Sequence, residues 1–244
     1  MTREINLKPS NSISKQTVVL KTKLMPQDIT EILNAKKTSL FGSALRRPKP
    51  DEITIENPQL FLEQVILVSG NYDVNFNRNV SYTVKVNSDV KEVTIGNEKF
   101  PIADNSGVWK KMKQGMGITK QELKINVTER AVKYSTDSLY LDNHGLETDF
   151  PYSINSESIE NYAQRALDIN SEHIRKNEID DDEIFSKLGQ RFKDSVSSDI
   201  EIKQEDFVIT EFLEIFVPIY ETECYDKKRK VAIARIDAVT GTFL

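Results

Sequence analysis

Apolar residues recur along this chain with two periods, one typical of strands and one typical of helices. Val80, Tyr82, Val84 and Val86 alternate with polar residues, which predicts a strand with one buried face. Further segments rich in β-branched residues are also predicted to be strands. These segments are 17–24, 53–55, 60–76, 90–95, 122–141 and the stretch from residue 200 onward.

Three segments have the helical period instead. The first is expected to begin at Pro26, because proline is favoured in the first helical turn. The second is expected to be capped by Ser156 and to continue to His173. The third is expected to begin after Asp180, whose spacing to Glu183 is that of a capping box.

Polar turns separate several of the predicted strands. Residues 77–79 (Asn-Arg-Asn) are expected to form the turn of one hairpin, and residues 226–229 (Asp-Lys-Lys-Arg) the turn of another. Residues 142–145 have the composition of a third turn. Asp237 and Thr240 are expected to form a side-chain-stabilised turn in which Gly241 adopts a positive φ.

The order of these elements predicts an α+β fold of antiparallel sheets with a few covering helices. Strands do not alternate regularly with helices, as a doubly wound parallel sheet would require. The chain is expected to divide into five consecutive parts. These parts are a flexible tail (1–16), an N-terminal α+β unit (17–102), a basic connector (103–120), a β segment with two helices (121–198) and a C-terminal hairpin unit (199–244).

The end of the chain resembles its first third. Phe61-Leu62-Glu63 recurs as Phe212-Leu213-Glu214, and each copy precedes a predicted hairpin. A helix with a hairpin leaves one apolar sheet face, which a second copy of the same unit could cover. The sequence therefore suggests an internal duplication of a helix-plus-hairpin unit. The alternative is a chance similarity between hairpins of like composition.

The last predicted hairpin resembles part of a known family. Residues 216–241 run from an apolar strand through Asp237 to a turn at Thr240 and Gly241, and this segment resembles the closing hairpin of PepSY-type domains. The resemblance implies a two-layer α+β repeat and a regulatory or binding role, and it carries over no catalytic residue. PepSY-type modules are mostly exported or membrane-attached, whereas this sequence shows no signal segment.

The composition is that of a polar, acidic protein. Apolar residues make up 38% of the chain and charged residues 29%, and the formal net charge is −5. This charge excludes a generally basic nucleic-acid coat protein. The single cysteine excludes an internal disulfide framework and a structural zinc site built from several thiolates.

No apolar run in the sequence is long enough to form a membrane-spanning helix. The longest apolar runs, Val65–Val68 and Ile215–Ile219, are far shorter than the roughly 20 residues that a membrane crossing needs. The first residues also lack the apolar core of a secretory signal. The sequence therefore predicts a soluble cytoplasmic protein that does not bind membranes.

Three basic segments contain candidate residues for binding phosphate. If these segments meet in the fold, they would form a nucleic-acid surface with aromatic rings that stack on bases. Taken separately, each segment has the composition of an ordinary solvated loop. The candidate basic residues are Lys36, Lys37, Arg46, Arg47, Lys110, Lys111, Lys113, Lys227, Lys228 and Arg229. The candidate stacking residues are Trp109 and Phe41.

The other residues with chemical potential are better explained by structure. The acidic residues from Glu178 to Glu183 lack the spacing of a calcium-binding EF-hand and suit the start of a helix. His144 and His173 have no partner at a metal-ligand spacing. The acidic neighbours of Cys224 would raise the pKa of its thiol, which opposes activation as a nucleophile. The sequence thus predicts no catalytic residue, metal or cofactor.

Three functions remain open at this stage. The leading hypothesis is a non-catalytic intracellular binding or scaffold module that associates with a protein partner or with itself. The second is an accessory factor for nucleic acid or a ribonucleoprotein, which would bind through the basic loops. The third is an enzyme whose site is assembled from scattered carboxylates that one sequence does not show.

Overall fold

The structure is a computed structural model of the whole chain. It describes residues 8–41, 47–87, 89–102, 120–196, 198–228 and 231–244. The basic connector predicted over 103–120 therefore lies outside the described residues, apart from its last residue.

Strands make up most of the regular structure of the described residues. The nine strands in these residues are β1 (Gln16–Val19), β2 (Ile53–Ile55), β3 (Gln59–Asn87), β4 (Glu92–Ile95), β5 (Glu98–Pro101), β6 (Lys120–Leu141), β7 (Ile174–Arg175), β8 (Ile200–Asp226) and β9 (Val231–Asp237). The α-helices are α1 (Pro26–Lys36), α2 (Ala163–Ile169) and α3 (Asp181–Asp194). Short 3-10 helices cover Lys37–Phe41, Pro50–Glu52 and Ser171–His173.

The strands form one large sheet and one small hairpin. In the large sheet β1, β8, β3 and β6 are neighbours in that order, β2 and β9 also pair with β8, and β7 pairs with β3. The small sheet is the antiparallel pair of β4 and β5. These features confirm the predicted α+β fold with antiparallel sheets and a few helices. Two short parallel pairs, β1 with β8 and β7 with β3, were not expected.

The described chain separates into two compact units that interleave along the sequence. Unit 1 comprises the described residues within 1–72, 135–195 and 206–244, and unit 2 comprises those within 73–134 and 196–205. Strands β3, β6 and β8 each supply residues to both units. The sequence predicts consecutive segments instead, because composition does not reveal which distant strands will pair.

One face of the unit 1 sheet is covered by the three α-helices. Phe212, Phe216 and Tyr220 point to this face, because alternate residues of a strand lie on the same side. The helix residues packed on this face are Ile29 and Leu33 of α1, Ala163, Ala166 and Leu167 of α2, and Phe185 and Phe192 of α3.

The opposite face of the unit 1 sheet is covered by the irregular segment that follows β6. Ile215, Val217 and Ile219 of β8 lie on this face together with Leu67 of β3. The covering residues are Phe150, Tyr152, Ile154 and Ile159. Apolar burial on both faces stabilises unit 1, at about 1.5–3 kcal/mol for each large side chain that is fully removed from water.

The first and third predicted helices are confirmed. Helix α1 begins at Pro26, and the backbone N–H of Met25 donates to the carboxylate of Asp28. Helix α3 begins after Asp180, whose carboxylate accepts a hydrogen bond of 2.8 Å from the backbone N–H of Glu183. Both starts follow from local side-chain chemistry, which is why the sequence reveals them.

The second predicted helix is wrong in its first half. Residues 156–161 are not helical, and α2 begins only at Ala163. The backbone N–H of Glu160 donates to the carbonyl of Val19, and Ile159 forms a bridge with Leu20. These long-range backbone hydrogen bonds replace the helical ones, so Ser156 caps no helix.

The predicted hairpin at residues 77–79 is also wrong. Strand β3 continues through this segment without a turn. Thr128 donates a hydrogen bond of 2.9 Å to the side chain of Asn79, and Asn77 donates one of 3.5 Å to Glu201. Polar side chains that suggested a turn instead make cross-strand contacts. The internal duplication loses this hairpin as support and stays an unconfirmed prediction.

The other predicted turns are confirmed. Strands β8 and β9 form the C-terminal antiparallel hairpin. Gly145 and Gly241 adopt positive φ angles of 73° and 77°. The carboxylate of Asp237 accepts hydrogen bonds from the backbone N–H groups of Val239 and Thr240, as the side-chain-stabilised turn requires.

Part of the N-terminal segment is attached to β8. The backbone N–H of Ser10 donates to the carbonyl of Phe207, and the side-chain amide of Asn11 makes two hydrogen bonds with the backbone of Ile209. Residues 10 and 11 therefore differ from the flexible tail predicted over residues 1–16.

Among the described residues, none of the helices combines the length and the apolar character that a membrane crossing requires.

Candidate functional site

Two of the three basic segments meet in unit 1. Strand β2 pairs with the end of β8, so that Ile53 lies opposite Asp226. Lys37 donates to the backbone carbonyl of Ile53, at 3.5 Å, and Lys227 forms an ion pair of 3.2 Å with Glu52. This part of unit 1 therefore carries cations from both segments together with acidic residues.

The remaining predicted basic and stacking residues differ in their exposure, and several lie outside the described part of the chain. The ammonium group of Lys36 lies 5.0 Å from the centre of the Phe243 ring, whereas Arg47 and Lys228 are in exposed segments. Phe41 is only 4% exposed and packs with Ile53 and Cys224, so its ring is not available to stack on a base. The predicted residues outside the described part of the chain are Arg46, Trp109, Lys110, Lys111, Lys113 and Arg229.

The acidic cluster at the start of α3 forms local ion pairs. Asp181 pairs with Lys15 at 2.6 Å, and Glu183 pairs with Lys187 one helical turn away. Together with the cap made by Asp180, these contacts support the helix-start interpretation. In the described ranges, no three side chains of His, Cys, Asp or Glu are grouped as metal ligands would be.

Cys224 is a buried free thiol. Burial raises the pKa of this thiol, and the positive charge of Lys37 opposes that increase. The predicted direction of the pKa change is therefore correct, but its main cause is removal from water and not the acidic neighbours in the sequence. A thiol in this environment remains protonated and weakly nucleophilic.

A network of two carboxylates and two guanidinium groups is partly enclosed in unit 1. It is formed by Glu63 of β3, Arg175 of β7, Glu221 of β8 and Arg235 of β9. Glu63 lies directly opposite Arg175 in the β3–β7 pair, and Glu221 lies directly opposite Arg235 in the β8–β9 pair. Cross-strand pairing therefore brings four distant residues together on one face of the sheet.

The hydrogen bonds of this ion-pair network link both cross-strand pairs. Arg175 donates to Glu63 at 2.8 Å and to Glu221 at 2.9 Å, and Arg235 donates to both oxygens of Glu63. Glu63 is only 7% exposed, whereas the two arginines are partly exposed. The guanidinium group of Arg175 also lies 4.2 Å from the centre of the Phe61 ring.

Electrostatics favour the charged state of Arg175 in this network. Burial alone would lower the pKa of Arg175, but hydrogen bonds to Glu221 and Glu63 outweigh burial and raise the pKa.

The Nε atom of Arg235 is buried without a hydrogen-bond partner among the described residues, and the nearest carboxylate oxygen of Glu221 is 3.7 Å away. The two positive and two negative charges balance, so the network is suited to holding β7 and β9 on the sheet.

This network is not apparent from the sequence. In the sequence Glu63 stands out only as the last residue of a repeated triplet, and no pattern links Arg175, Glu221 and Arg235 to a charged network. The available signal is the position of Glu63, which shares a strand face with Val65 and Leu67. A charge on an inward-facing strand position requires a partner, but the sequence does not show which distant strand supplies it.

Unit 2 has a sheet with two chemically different faces. Arg78 and Tyr82 of β3 both contact Glu129 of β6. Because alternate residues of a strand share a face, the even-numbered residues of β3 and the odd-numbered residues of β6 lie on the same face of the sheet. We call this face the apolar face. It carries Phe76, Val80, Tyr82, Val84, Leu123, Ile125, Val127 and Ile202.

Part of the apolar face is open to solvent. Leu123 and Ile125 are buried, but Tyr82 is 49% exposed, and Val84, Val127 and Ile202 are exposed as well. The hydrogen bond to Glu129 raises the pKa of the Tyr82 hydroxyl. Hydrogen bonds from Tyr82 and from Arg78 lower the pKa of Glu129. The exposed apolar side chains are therefore bordered by a charged pair.

Comparison of the chain with protein-family models, with curated proteins and with solved structures gives no match. The resemblance of residues 216–241 to PepSY-type domains therefore stays a prediction.

Proposed function

We propose that the chain is a non-catalytic intracellular binding or scaffold module that takes a protein partner on the apolar face of unit 2. The observation that carries this proposal is the exposed apolar group on one side of the unit 2 sheet. Soluble proteins that expose contiguous apolar surface commonly use it to bind other molecules.

The distribution of exposed apolar residues supports this location. Of the 14 large apolar side chains that are exposed in the described residues, seven lie in unit 2. Three of the seven, Tyr82, Val84 and Val127, lie together on paired strands β3 and β6. A partner that covers these side chains removes them from water and gains roughly 25 cal/mol for each Å² of apolar surface.

The chemistry of unit 1 supports a non-catalytic role. Glu63 and Glu221 both accept hydrogen bonds from guanidinium groups, so neither offers a free carboxylate for proton transfer. Burial raises the pKa of the Cys224 thiol, which disfavours the nucleophilic thiolate. A single free cysteine that is enclosed in the core is also compatible with a reducing, intracellular environment.

Affinity capture from a native lysate tests this proposal. The wild-type chain, the Val84→Ser/Val127→Ser variant and a Val132→Ser control are immobilised and compared by quantitative mass spectrometry. Val132 is an exposed valine of the same sheet that lies on the other face. We expect at least one protein to be retained by the wild type and the control and lost from the double variant. Equal retention by all three chains would contradict the proposed surface.

A second candidate function is nucleic-acid binding through the basic segments of unit 1. The observation that favours it is the meeting of Lys37 and Lys227 beside β2. A backbone hydrogen bond from Lys49, followed by the contact with Lys227, lowers the pKa of Glu52, so this carboxylate stays ionised and offsets the local positive charge. Phosphate binding here would weaken steeply as salt increases. Binding of a single-stranded oligonucleotide that is absent or independent of salt would remove this candidate.

A further inference from the structure

The second face of the unit 2 sheet has a different composition from the apolar face. We call it the amide face. Its residues on β3 are Asp73, Asn75, Asn77, Asn79, Ser81 and Thr83, and those on β6 are Asn126, Thr128, Arg130, Val132 and Tyr134. Glu201 and Lys203 of β8 extend the same face, because Asn77 contacts Glu201.

Cross-strand hydrogen bonds hold the amide side chains in fixed orientations. Thr128 donates to Asn79 at 2.9 Å, Arg130 donates to the side-chain oxygen of Asn75 at 3.3 Å, and Ser81 donates to Asn126. A guanidinium group can only donate, so Asn75 must accept through its oxygen.

Each of these amides retains a second hydrogen-bonding group. The side-chain NH₂ groups of Asn75, Asn79 and Asn126 make no hydrogen bond within the described part of the chain. Because a strand rises about 3.3 Å per residue, the free groups of Asn75 and Asn79, four residues apart on the same face of β3, lie roughly 13 Å apart along the strand. Because these side chains are already ordered, less side-chain entropy is lost when a ligand binds to them.

An aromatic ring lies on the same face beyond its Asn75 end, because Arg130 contacts Asn75 and Tyr134 is four residues further along β6. Tyr134 is 77% exposed, the highest value for a large apolar side chain in the described residues, and Val132 on the same strand face is also exposed. A tyrosine ring has an apolar surface and a polar hydroxyl. It can therefore stack on the C–H side of a sugar ring while amides bind the hydroxyl groups at its edge.

The charge of the amide face favours a neutral ligand. Strand alternation places Asp73, Glu122, Glu201 and Glu205 on this face together with Lys85, Lys124, Arg130 and Lys203, so the charges balance and there is no excess of positive charge to neutralise phosphates. The free NH₂ groups of the amides can donate hydrogen bonds to sugar hydroxyls, and the Ser and Thr hydroxyls of this face can both donate to them and accept from them.

We infer that the amide face of unit 2 is a binding surface for a neutral, extended oligosaccharide, which stacks on Tyr134 and hydrogen-bonds to the amides of Asn75, Asn79 and Asn126. The ligand follows the direction of β3 and β6. This surface is separate from the apolar face and does not depend on the protein partner proposed above.

Isothermal titration of the full chain with linear neutral hexasaccharides of glucose, mannose and xylose tests the inference. We expect saturable binding of at least one of them and little change between low and moderate salt. Tyr134→Ala should weaken that binding by roughly tenfold, and Asn79→Ala by roughly threefold, since each removes one contact of a preorganised surface. Tyr82→Ala, which changes a tyrosine on the apolar face of the same sheet, should leave the affinity unchanged.

Several results would overturn the inference. These are failure of all three sugars to bind at millimolar concentration, equal weakening by Tyr134→Ala and Tyr82→Ala, and preferential binding of single-stranded DNA. Loss of a dimer in sedimentation when Tyr134 is replaced would assign the face to a second copy of the chain. If Tyr134→Ala does not fold by circular dichroism, Asn79→Ala alone must show the weakening.

Discussion

Glu63 makes contacts that connect three strands of unit 1. Its carboxylate accepts hydrogen bonds from Arg175 of β7 and Arg235 of β9 while it lies on β3. Taking a carboxylate out of water is unfavourable unless charged donors replace the lost water contacts. The two guanidinium groups meet this requirement, and they are held in turn by Glu221.

Replacing Glu63 with glutamine tests this role. The amide has nearly the same shape but cannot neutralise Arg175 and Arg235, so we expect unfolding to become easier by roughly 1–3 kcal/mol. The measurement is urea unfolding followed by circular dichroism. Glu147→Gln is the matched control, because Glu147 pairs with Arg191 on the exposed surface of unit 1, where a loss of about 0–1 kcal/mol is expected. Equal effects for both variants would show that the network adds nothing beyond a surface ion pair.

Cys224 provides a second test at the residue scale. Its side chain is fully buried, and burial raises the pKa of the thiol above its ordinary value. The reactive thiolate is therefore scarce in the folded chain at mildly alkaline pH, and we expect slow labelling by a thiol reagent. Unfolding in denaturant exposes the thiol and should give one fast-reacting group per chain. Fast, complete labelling of the folded protein would contradict the assigned environment.

At the scale of elements, local chemistry accounts for those that the sequence reveals. The start of α1 at Pro26, the cap of α3 at Asp180 and the positive φ of Gly241 all depend on residues close in sequence. By contrast, β3 passes straight through residues 77–79, and residues 156–161 pair with the segment around β1. Those outcomes depend on hydrogen bonds to distant strands, which local propensity does not contain.

The cap of α3 makes a quantitative prediction. Asp180→Ala removes the acceptor for the backbone N–H of Glu183, and the loss of an N-cap costs about 1 kcal/mol of stability. Asp182→Ala is the control in the same helical turn, because Asp182 is exposed and its pair with Lys8 is long, at 3.7 Å. We expect its effect to be about 0.3–1 kcal/mol, through the helix dipole and a weak surface pair. Thermal unfolding of both variants measures the difference, and a larger loss for Asp182→Ala would refute the assigned cap.

At the scale of the whole molecule, the two units differ in how completely their sheets are covered. In unit 1 helices and an irregular segment cover opposite faces. In unit 2 exposed residues occur on both faces, with Tyr82 on one and Tyr134 on the other. The sequence predicts the α+β class and the strand alternation around Val84, but the face that it predicts to be buried is partly exposed at Tyr82 and Val84.

The ion-pair network and the choice of strands that meet on each face of unit 2 could not be predicted from the sequence for the same physical reason. Each depends on the register between strands that are far apart in the chain, as when Glu221 lies opposite Arg235. A shift of register by one residue would move every side chain to the other face. The basic segments around Lys37 and Lys227 do meet, as the nucleic-acid hypothesis requires, but acidic residues lie among them.

The most direct test of the proposed binding function is a binding isotherm between the captured, purified partner protein and the chain. The wild type and Val132→Ser should bind equally, and Val84→Ser/Val127→Ser should bind at least about tenfold more weakly, because two buried apolar contacts are worth more than about 1.4 kcal/mol. Equal affinity for all three chains, with their folding confirmed by circular dichroism, would contradict the assignment of the apolar face.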